Sequence, residues 1–199
     1  MARTLGKAIS RLVLLFSAAA TSAAAPITYL FSAVGSGTIG GASFTNKAYV
    51  ITLMGDTSTI DNTYAGLGEY RNAVTGTIQV KSRRLVTITM PIVITTACGA
   101  GGGYIGIEKA AGSPPFPTYI YNARGAPVTD CFLGPATPTT GLPATVSSFT
   151  NIPSTKGPVT LTFSSPITYQ AQSCTRPRAC RKHGAKMFRT LRATETLVP

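Results

Sequence analysis

Residues able to support nucleophilic catalysis are sparse in this chain. His183 is the only histidine, and it lies in a basic C-terminal stretch that shows no strand or helix pattern. A serine or cysteine nucleophile needs a histidine that the fold holds within hydrogen-bond reach. The sequence therefore predicts no nucleophilic catalytic site.

The acidic residues offer a second kind of chemistry. Glycoside hydrolysis needs only two carboxyl groups, so a carbohydrate-active hydrolase using paired carboxylates stays open as an alternative function. The chain has no tryptophan to form a sugar-stacking platform, and most of its candidate acids fall in predicted turns. No pair is assigned as catalytic among the five acids that precede the C-terminal stretch, which are Asp56, Asp61, Glu69, Glu108 and Asp130.

Three motifs resemble ligand sites but lack what those sites require. Gly35 to Gly40 has the glycine spacing of a dinucleotide loop, yet a β-branched strand follows where a helix N-terminus should hold the pyrophosphate. Cys174, Cys180 and His183 lack both tight spacing and a fourth zinc ligand. The turn acids Asp56 and Asp61 supply too few oxygens for calcium. We predict no cofactor and no metal.

The four cysteines fall into two pairs along the chain. Cys98 and Cys131 lie in the body of the sequence, and Cys174 and Cys180 lie near its end. Export makes disulfides permissible. Cys98 and Cys131 each border an apolar stretch beside a turn, so we predict a bridge between them, with two independent thiols as the alternative.

The N-terminus has the three parts of a secretion signal. Basic residues come first, an apolar run from Leu12 to Ala20 follows, and small residues fill Thr21 to Ala25. Ser22 and Ala24 place small side chains at the −3 and −1 positions of a cleavage site. A membrane anchor is the alternative, but the apolar run is shorter than the ~20 residues that a span needs. We expect residues 1–25 to be a signal peptide, and no stable membrane span after its removal.

The formal net charge of +12 is unevenly distributed. Seven basic residues and one acid lie in residues 174–199, whereas residues 26–173 hold eight basic and five acidic residues. The body itself is only weakly basic, so the charge does not indicate a specific nucleic-acid partner. Residues 174–199 lack any alternating apolar face, and we predict that they form a disordered basic tail.

The body predicts strands joined by tight turns. Alternating apolar residues from Ile27 to Val34, and β-branched runs such as Ala48 to Met54, are typical of half-buried strands. Nine such segments are expected, with a break at Gly35 to Gly37, an edge strand or bulge at Pro91, and a loop from Gly134 to Pro143. Short strands separated by Gly, Pro and Asn favour an all-β fold, with residues 26–173 as a single antiparallel β-sandwich or jelly-roll-like domain.

One stretch carries a family resemblance. Phe31 to Ile60 reads FSAVGSGTIGGASFTNKAYVITLMGDTSTI. It resembles the opening of a group of exported bacterial proteins in which a Gly-Ser/Thr-Gly turn, a Gly-Gly-x-x-Phe-Thr segment and a strand ending in Gly-Asp-Thr recur. Many of those proteins carry the PEP-CTERM sorting signal. The resemblance implies a secreted or surface-delivered β-sandwich and supplies no catalytic residues.

The C-terminus departs from that family pattern. It has no Val-Pro-Glu-Pro box and no apolar helix of membrane-spanning length. Residues 176–180 read Arg-Pro-Arg-Ala-Cys, and a suitable choice of codons for them, read one nucleotide out of step, spells Val-Pro-Glu-Pro-Ala. Two explanations of the tail stay open, a native basic tail and a frameshifted sorting signal.

We therefore expect an exported surface or extracellular-matrix structural or adhesive protein. Its partner would be an extracellular polysaccharide or the cell envelope, and an alternative is an envelope-binding protein that acts through its basic tail. The expected binding surface is the loops between Gly99 and Pro143, where aromatic residues cluster in the sequence. Those aromatic residues are Tyr104, Phe116, Tyr119 and Tyr121. Tyr119 and Tyr121 are spaced to face one side of a strand, so core packing is their alternative role.

Overall fold

The computed structural model describes residues 24–63, 65–83, 85–98, 103–110, 119–126, 139–142, 149–163 and 167–173. These ranges hold two short 3-10 helices, Thr57–Thr59 and Ala65–Leu67, and otherwise β-strands. The strands are β1 (Pro26–Ile39), β2 (Ala42–Asp56), β3 (Ile60–Asp61), β4 (Glu69–Val80), β5 (Val86–Thr87), β6 (Ile92–Ala97), β7 (Gly103–Lys109), β8 (Tyr119–Ala126), β9 (Thr139–Leu142), β10 (Phe149–Ile152), β11 (Val159–Phe163) and β12 (Ile167–Ser173). Within these ranges, no helix has the length and apolar character needed to cross a membrane.

All neighbouring strands are antiparallel and belong to one curled sheet. Its path runs β10-β11-β1-β2-β4-β6-β7-β8, and β12 adds to β1 and carries β9 on its other side. The first half of β1 pairs with β12 from Ile27↔Ser173 to Ser32↔Thr168. The second half pairs with β11 from Gly35↔Phe163 to Ile39↔Val159. Because β1 changes partner along its length, the sheet bends over itself.

The two halves of β1 lie toward opposite ends of the sheet, which we call the proximal and the distal end. The proximal end holds Pro26, the first residue of β1, and Ser173, the last residue of β12. The distal end holds the β1–β2 turn at Gly40 and Gly41, which have positive φ of 55° and 81°. Those values fit the two-residue hairpin turn that matches the twist of its strands. Strand β4 divides in the same way, with β2 and β5 beside its distal half and β3 and β6 beside its proximal half.

The distal end closes into a ring of backbone hydrogen bonds. The segment after β10 reaches β5, where the Thr89 amide donates to the Pro153 carbonyl at 3.0 Å and the Thr155 amide donates to the Thr87 carbonyl at 2.9 Å. Ile88 and Ser154 form the bridge between them. An edge that would otherwise stay open is thereby paired.

The inner face of the curled sheet forms one hydrophobic core. Alternate residues of the long strands point inward, as shown by Ile27, Tyr29 and Phe31 of β1, each at most 2% exposed. Inward residues of β4, β6, β7, β11 and β12 join the same cluster. The predicted all-β antiparallel sandwich is confirmed, and its two layers are parts of a single sheet.

Two sequence expectations for strand ends are wrong. The predicted break at Gly35 to Gly37 is a bulge, and β1 continues to Ile39. Glycine is required there because a Cβ at Gly35 or Gly37 would lie 2.0 Å from the Thr162 or Thr160 carbonyl oxygen of β11. The predicted loop from Gly134 to Pro143 contains β9, since its β-branched threonines gain a partner at the edge of β12.

Pro91 interrupts its predicted strand altogether. β5 ends at Thr87 and β6 begins at Ile92, because proline has no amide to donate to the ladder. The residues between them find other partners, with the Ile88 amide donating to the Gly76 carbonyl at 2.8 Å. Because of this interruption, β5 and the residues after it pair within the distal ring, whereas β6 pairs with the proximal half of β4.

Candidate functional site

The outward face of β4, β6 and β7 gathers polar side chains at the proximal end. In one row across the three strands, Ala97 of β6 lies between Glu69 of β4 and Tyr104 of β7. In the next row on the same face, Arg71 of β4 lies beside Thr95 of β6. Glu108 lies one row further along β7, paired with Val93. We call this group the proximal cluster, and its members are Glu69, Arg71, Thr95, Tyr104 and Glu108.

Glu69 is held from two sides within this cluster. The Arg71 Nε donates to Glu69 Oε1 at 2.8 Å, and the Tyr104 hydroxyl donates to Glu69 Oε2 at 2.5 Å. Tyr104 is two strands away from Glu69, and the small side chain of Ala97 between them leaves room for this contact. Both carboxylate oxygens therefore accept charge-assisted or short hydrogen bonds, which fix the carboxylate across the sheet.

Glu108 is the most buried acid of the cluster. It is 3% exposed, and the hydroxyl of Thr95, itself fully buried, donates to its Oε1. Burial raises the pKa of Glu108 because the charged form loses its hydration. The Thr95 hydrogen bond and the Arg71 charge oppose that rise, and the Glu69 charge adds to it.

The two carboxyl groups lie on one face at a separation set by the ladder. Glu69 reaches across Ala97, and Glu108 bonds to Thr95, two residues away on β6. The two carboxyl groups therefore contact neighbouring rows of one face and influence each other electrostatically. Two carboxyl groups on one face are what glycoside hydrolysis requires, whereas the near-complete burial of Glu108 leaves little room for a sugar beside it.

A second polar group lies in the core and is structural. Asn72, 2% exposed, donates to the Tyr29 hydroxyl at 2.9 Å and accepts from the Thr59 hydroxyl at 2.8 Å. Burial raises the pKa of Tyr29 to about 12, and the Asn72 bond opposes the rise. These contacts tie the first 3-10 helix to the sheet.

The four aromatic residues expected to form the binding surface lie in different parts of the chain. Tyr104 lies in β7, half-buried, with its hydroxyl bound to Glu69. Tyr119 and Tyr121 lie in β8, where Tyr121 pairs with the core residue Ile107 and Tyr119 pairs with Glu108. Phe116 lies outside the described residues. Part of the surface that was expected to consist of loops is therefore formed by strands β7 and β8.

Cys98 is the only cysteine within the described residues, and it is disulfide-bonded. It follows β6, where its amide donates to the Gly68 carbonyl at 3.0 Å. Cys131, Cys174 and Cys180 lie outside the described residues. The pairing of Cys98 with Cys131 therefore stays a prediction.

The turn acids make local bonds. Asp56 accepts from the Ser58 amide at 2.8 Å and Asp61 accepts from the Thr63 amide at 2.8 Å, and these bonds together with the serine and threonine hydroxyls lower the pKa of each carboxyl. Within the described ranges, no three His, Cys, Asp or Glu side chains converge as a metal site would require. Gly35 to Gly40 lies in β1 and the turn after it, and strand β2 rather than a helix follows, as the sequence predicted.

Comparison with known proteins adds no identity. No protein-family profile, no curated protein and no solved structure matches the chain. Function must be inferred from the geometry of the molecule alone.

The sequence did not single out the proximal cluster. It named Glu69 and Glu108 among five acids, but Arg71 and Thr95 carried no expectation. The available signal was the alternation of β4, in which Glu69 and Arg71 occupy outward positions and most of the inward positions, such as Val74, Ile78 and Val80, are apolar. Strand pairing, which brings Tyr104 to Glu69 over a separation of 35 residues, was needed to recognise the group.

Proposed function

We propose that this protein is an exported surface or extracellular-matrix module with a structural or adhesive role, binding extracellular polysaccharide. The observation that supports the proposal is the pairing of Ile27 with Ser173. It brings both ends of the domain to the proximal end of the sheet. A module attached there would present its distal end, about ten residues further along β1, away from the attachment.

The start of the fold is compatible with signal removal. The Ala25 amide nitrogen donates to the Thr57 hydroxyl at 3.0 Å, and the Thr57 amide donates to the Ala25 carbonyl at 2.9 Å. Cleavage after Ala24 would keep both bonds, because the new amino group of Ala25 still donates. Cleavage after Ala25 would remove them.

The test is fractionation and matrix retention of the full chain expressed in a bacterial host. We expect the protein outside the cytoplasm with Ala25 as its first residue, retained on a polysaccharide matrix, and releasing no reducing sugar from it. A cytoplasmic protein that keeps Met1 would contradict the export on which the proposal depends.

A carbohydrate-active hydrolase is the second candidate, favoured by the placement of Glu69 and Glu108 on one face of the sheet. In that mechanism Glu108, with its raised pKa, would protonate the leaving oxygen, and Glu69 would activate water as the base. Release of reducing sugar that is abolished by both Glu69→Gln and Glu108→Gln, in variants that melt cooperatively, would support hydrolysis. Loss in neither variant would exclude these two residues as its acid and base.

A further inference from the structure

The described acidic residues lie toward one end of the sheet, whereas cations occur at both ends, with Arg71 and Lys109 beside the acids. The acids that the structure describes, Asp56, Asp61, Glu69 and Glu108, all lie in the proximal half. The distal half comprises residues 35–47, 81–83 and 153–158, and the sequence places no acid in any of these segments. Its cations are Lys47, Lys81, Arg83 and Lys156. Among the residues that the structure describes, the distal end is therefore a positive surface without a carboxylate.

Three separate segments bring these cations to one end. Lys47 pairs with Gly35 where the β1–β2 hairpin extends beyond β4. The Lys81 amide donates to the Ala48 carbonyl at 2.8 Å, so the turn after β4 lies against the same hairpin. On the other side, the Gly40 amide donates to the Pro158 carbonyl at 2.9 Å, which holds the turn containing Lys156 beside the hairpin tip.

Arg83 makes this surface rigid. Its guanidinium lies 5.6 Å from the centre of the Phe44 ring and donates to the backbone carbonyls of Ala42 and Ser43. These contacts fasten the turn to the free edge of β2. Phe44 is 6% exposed beneath the guanidinium, so its ring supports the surface from below. A partner would meet a preformed arrangement and lose little free energy in ordering it.

Hydroxyl and amide groups lie between the cations. Ser43, Thr45 and Asn46 of the hairpin and Thr155 of the opposite turn are exposed. The mixture of fixed positive charge and small hydrogen-bonding groups is complementary to a polymer that carries both carboxylates and hydroxyls. Attraction by the charges would increase the association rate, and the polar groups would fix the chain on the surface.

We infer that the distal end is the contact surface of the module and binds an anionic polysaccharide, one that carries uronate-type carboxylates. This inference rests on the proposed adhesive function and names its surface and partner. A polysaccharide fits better than a nucleic acid or a membrane because the polar groups between the cations match sugar hydroxyls. The Phe44 ring is covered by Arg83 rather than offered for base stacking or insertion into lipid.

The test compares two triple variants that lose the same charge in the full mature chain. The distal variant is Lys47→Gln/Lys81→Gln/Lys156→Gln, and the matched tail variant is Arg176→Gln/Arg178→Gln/Arg181→Gln. Arg83 is left unchanged because it supports the fold. Binding is measured to alginate, with uncharged dextran, vesicles of equimolar phosphatidylglycerol and phosphatidylcholine, and single-stranded DNA as comparison probes. Thermal melts check that both variants fold.

The unaltered protein should bind alginate in preference to the other three probes, and added salt should weaken that binding. Loss of three surface ion contacts should weaken alginate binding by roughly tenfold in the distal variant, and far less in the tail variant. Unchanged alginate binding in the distal variant, or stronger binding to vesicles or DNA, would overturn the inference. If the protein is retained on dextran equally with and without the distal lysines, the adhesive function is supported but this binding surface is excluded. If the protein is not exported, the proposed function itself is excluded.

Discussion

The proximal and distal ends of the sheet treat their charges in opposite ways. At the proximal end, Glu69 is paired with Arg71 and Tyr104, Glu108 is buried against Thr95, and the turn acids bond to neighbouring hydroxyls. At the distal end, four cations lie in residues 35–47, 81–83 and 153–158, which contain no acidic residue. Acids that are bonded within the molecule contribute to its fold, and a group of cations at one end is suited to contact an anionic partner.

The comparison assigns different consequences to substitutions at the two ends. Changes in the proximal half should alter stability and its dependence on pH. Neutralised lysines in the distal half should alter binding while the melting temperature stays nearly constant. Backbone changes in the distal half are the exception, because β1 runs through both ends.

The largest effect is expected at the predicted Cys98–Cys131 disulfide. Cys131→Ser should make Cys98 accessible to alkylation and lower the free energy of unfolding by about 3–4 kcal/mol, as the loop-closure model gives for a loop of about 33 residues. Urea unfolding and mass mapping of alkylated peptides measure the two effects. The control is Cys174→Ser, which should leave Cys98 protected. If Cys98 becomes reactive in Cys174→Ser but stays protected in Cys131→Ser, its disulfide partner lies in the tail.

A backbone change at the distal end should be nearly as costly. Gly37→Ala would place a Cβ 2.0 Å from the Thr160 carbonyl oxygen, and a paired backbone cannot move aside. We expect a loss of about 3 kcal/mol in the free energy of unfolding, measured by urea titration. Gly66→Ala is the matched control, because nothing lies within 4 Å of its added Cβ. Equal stability of the two variants would show that β1 does not pair closely with β11.

A smaller effect, with a defined sign, is expected from Glu108→Gln. The pKa of Glu108 is raised in the folded state from its usual 4.5, so the folded protein holds this proton more tightly than the unfolded chain does. The free energy of unfolding should therefore fall as pH rises above about 4.5 and through the folded pKa. Glutamine cannot ionise, so the variant should melt higher than the unaltered protein near pH 8 and lose that advantage near pH 4.

Glu69→Gln is the control for that pH dependence. It weakens a partly exposed ion pair with Arg71 and should lower stability by up to about 1 kcal/mol near pH 7. The turn acids act in the opposite direction from Glu108, since their lowered pKa values stabilise the fold above their unfolded pKa and cease to do so as pH falls. A Glu108→Gln variant that is less stable than the unaltered protein near pH 8 would show that its carboxylate is stabilised rather than penalised.

The smallest effect is expected from removal of the tail. The sheet ends with Ser173, which is already paired with Ile27. A chain that stops at Ser173 should melt within a few degrees of the full mature chain and keep its alginate binding. Differential scanning calorimetry of the two chains tests this. Aggregation, or loss of a cooperative transition, would show that residues 174–199 contribute to the core.

Local pattern was enough to predict most strands. Alternation in β1 and the β-branched run in β2 depend on neighbours two residues apart, and both strands lie where expected. The predicted break at Gly35 failed because the reason for that glycine is a carbonyl of β11, more than 120 residues away in the chain. At Pro91 the sequence predicts an edge strand or a bulge and not an interruption, because the partners of the freed amides cannot be identified from local sequence.

The charge arrangement could be predicted only in part. Dividing the chain by segment showed that the body is weakly basic, but not that the four described acids lie toward one end and three of the lysines toward the other. Lys47, Lys81 and Lys156 are distant in sequence and meet only through the pairing of β1 with β2 and β11. Likewise, the contact of Tyr104 with Glu69 could not be predicted, because it depends on two intervening strand registers.

The most direct measurement is a residue-resolved map of where alginate oligomers bind the full mature chain, taken from NMR chemical-shift changes during titration. We predict shifts confined to the distal end, in residues 35–47, 81–83 and 153–158, with the proximal cluster unperturbed. Shifts centred on Glu69, Tyr104 and Glu108, with the distal end silent, would contradict the division between the two ends and favour the hydrolase.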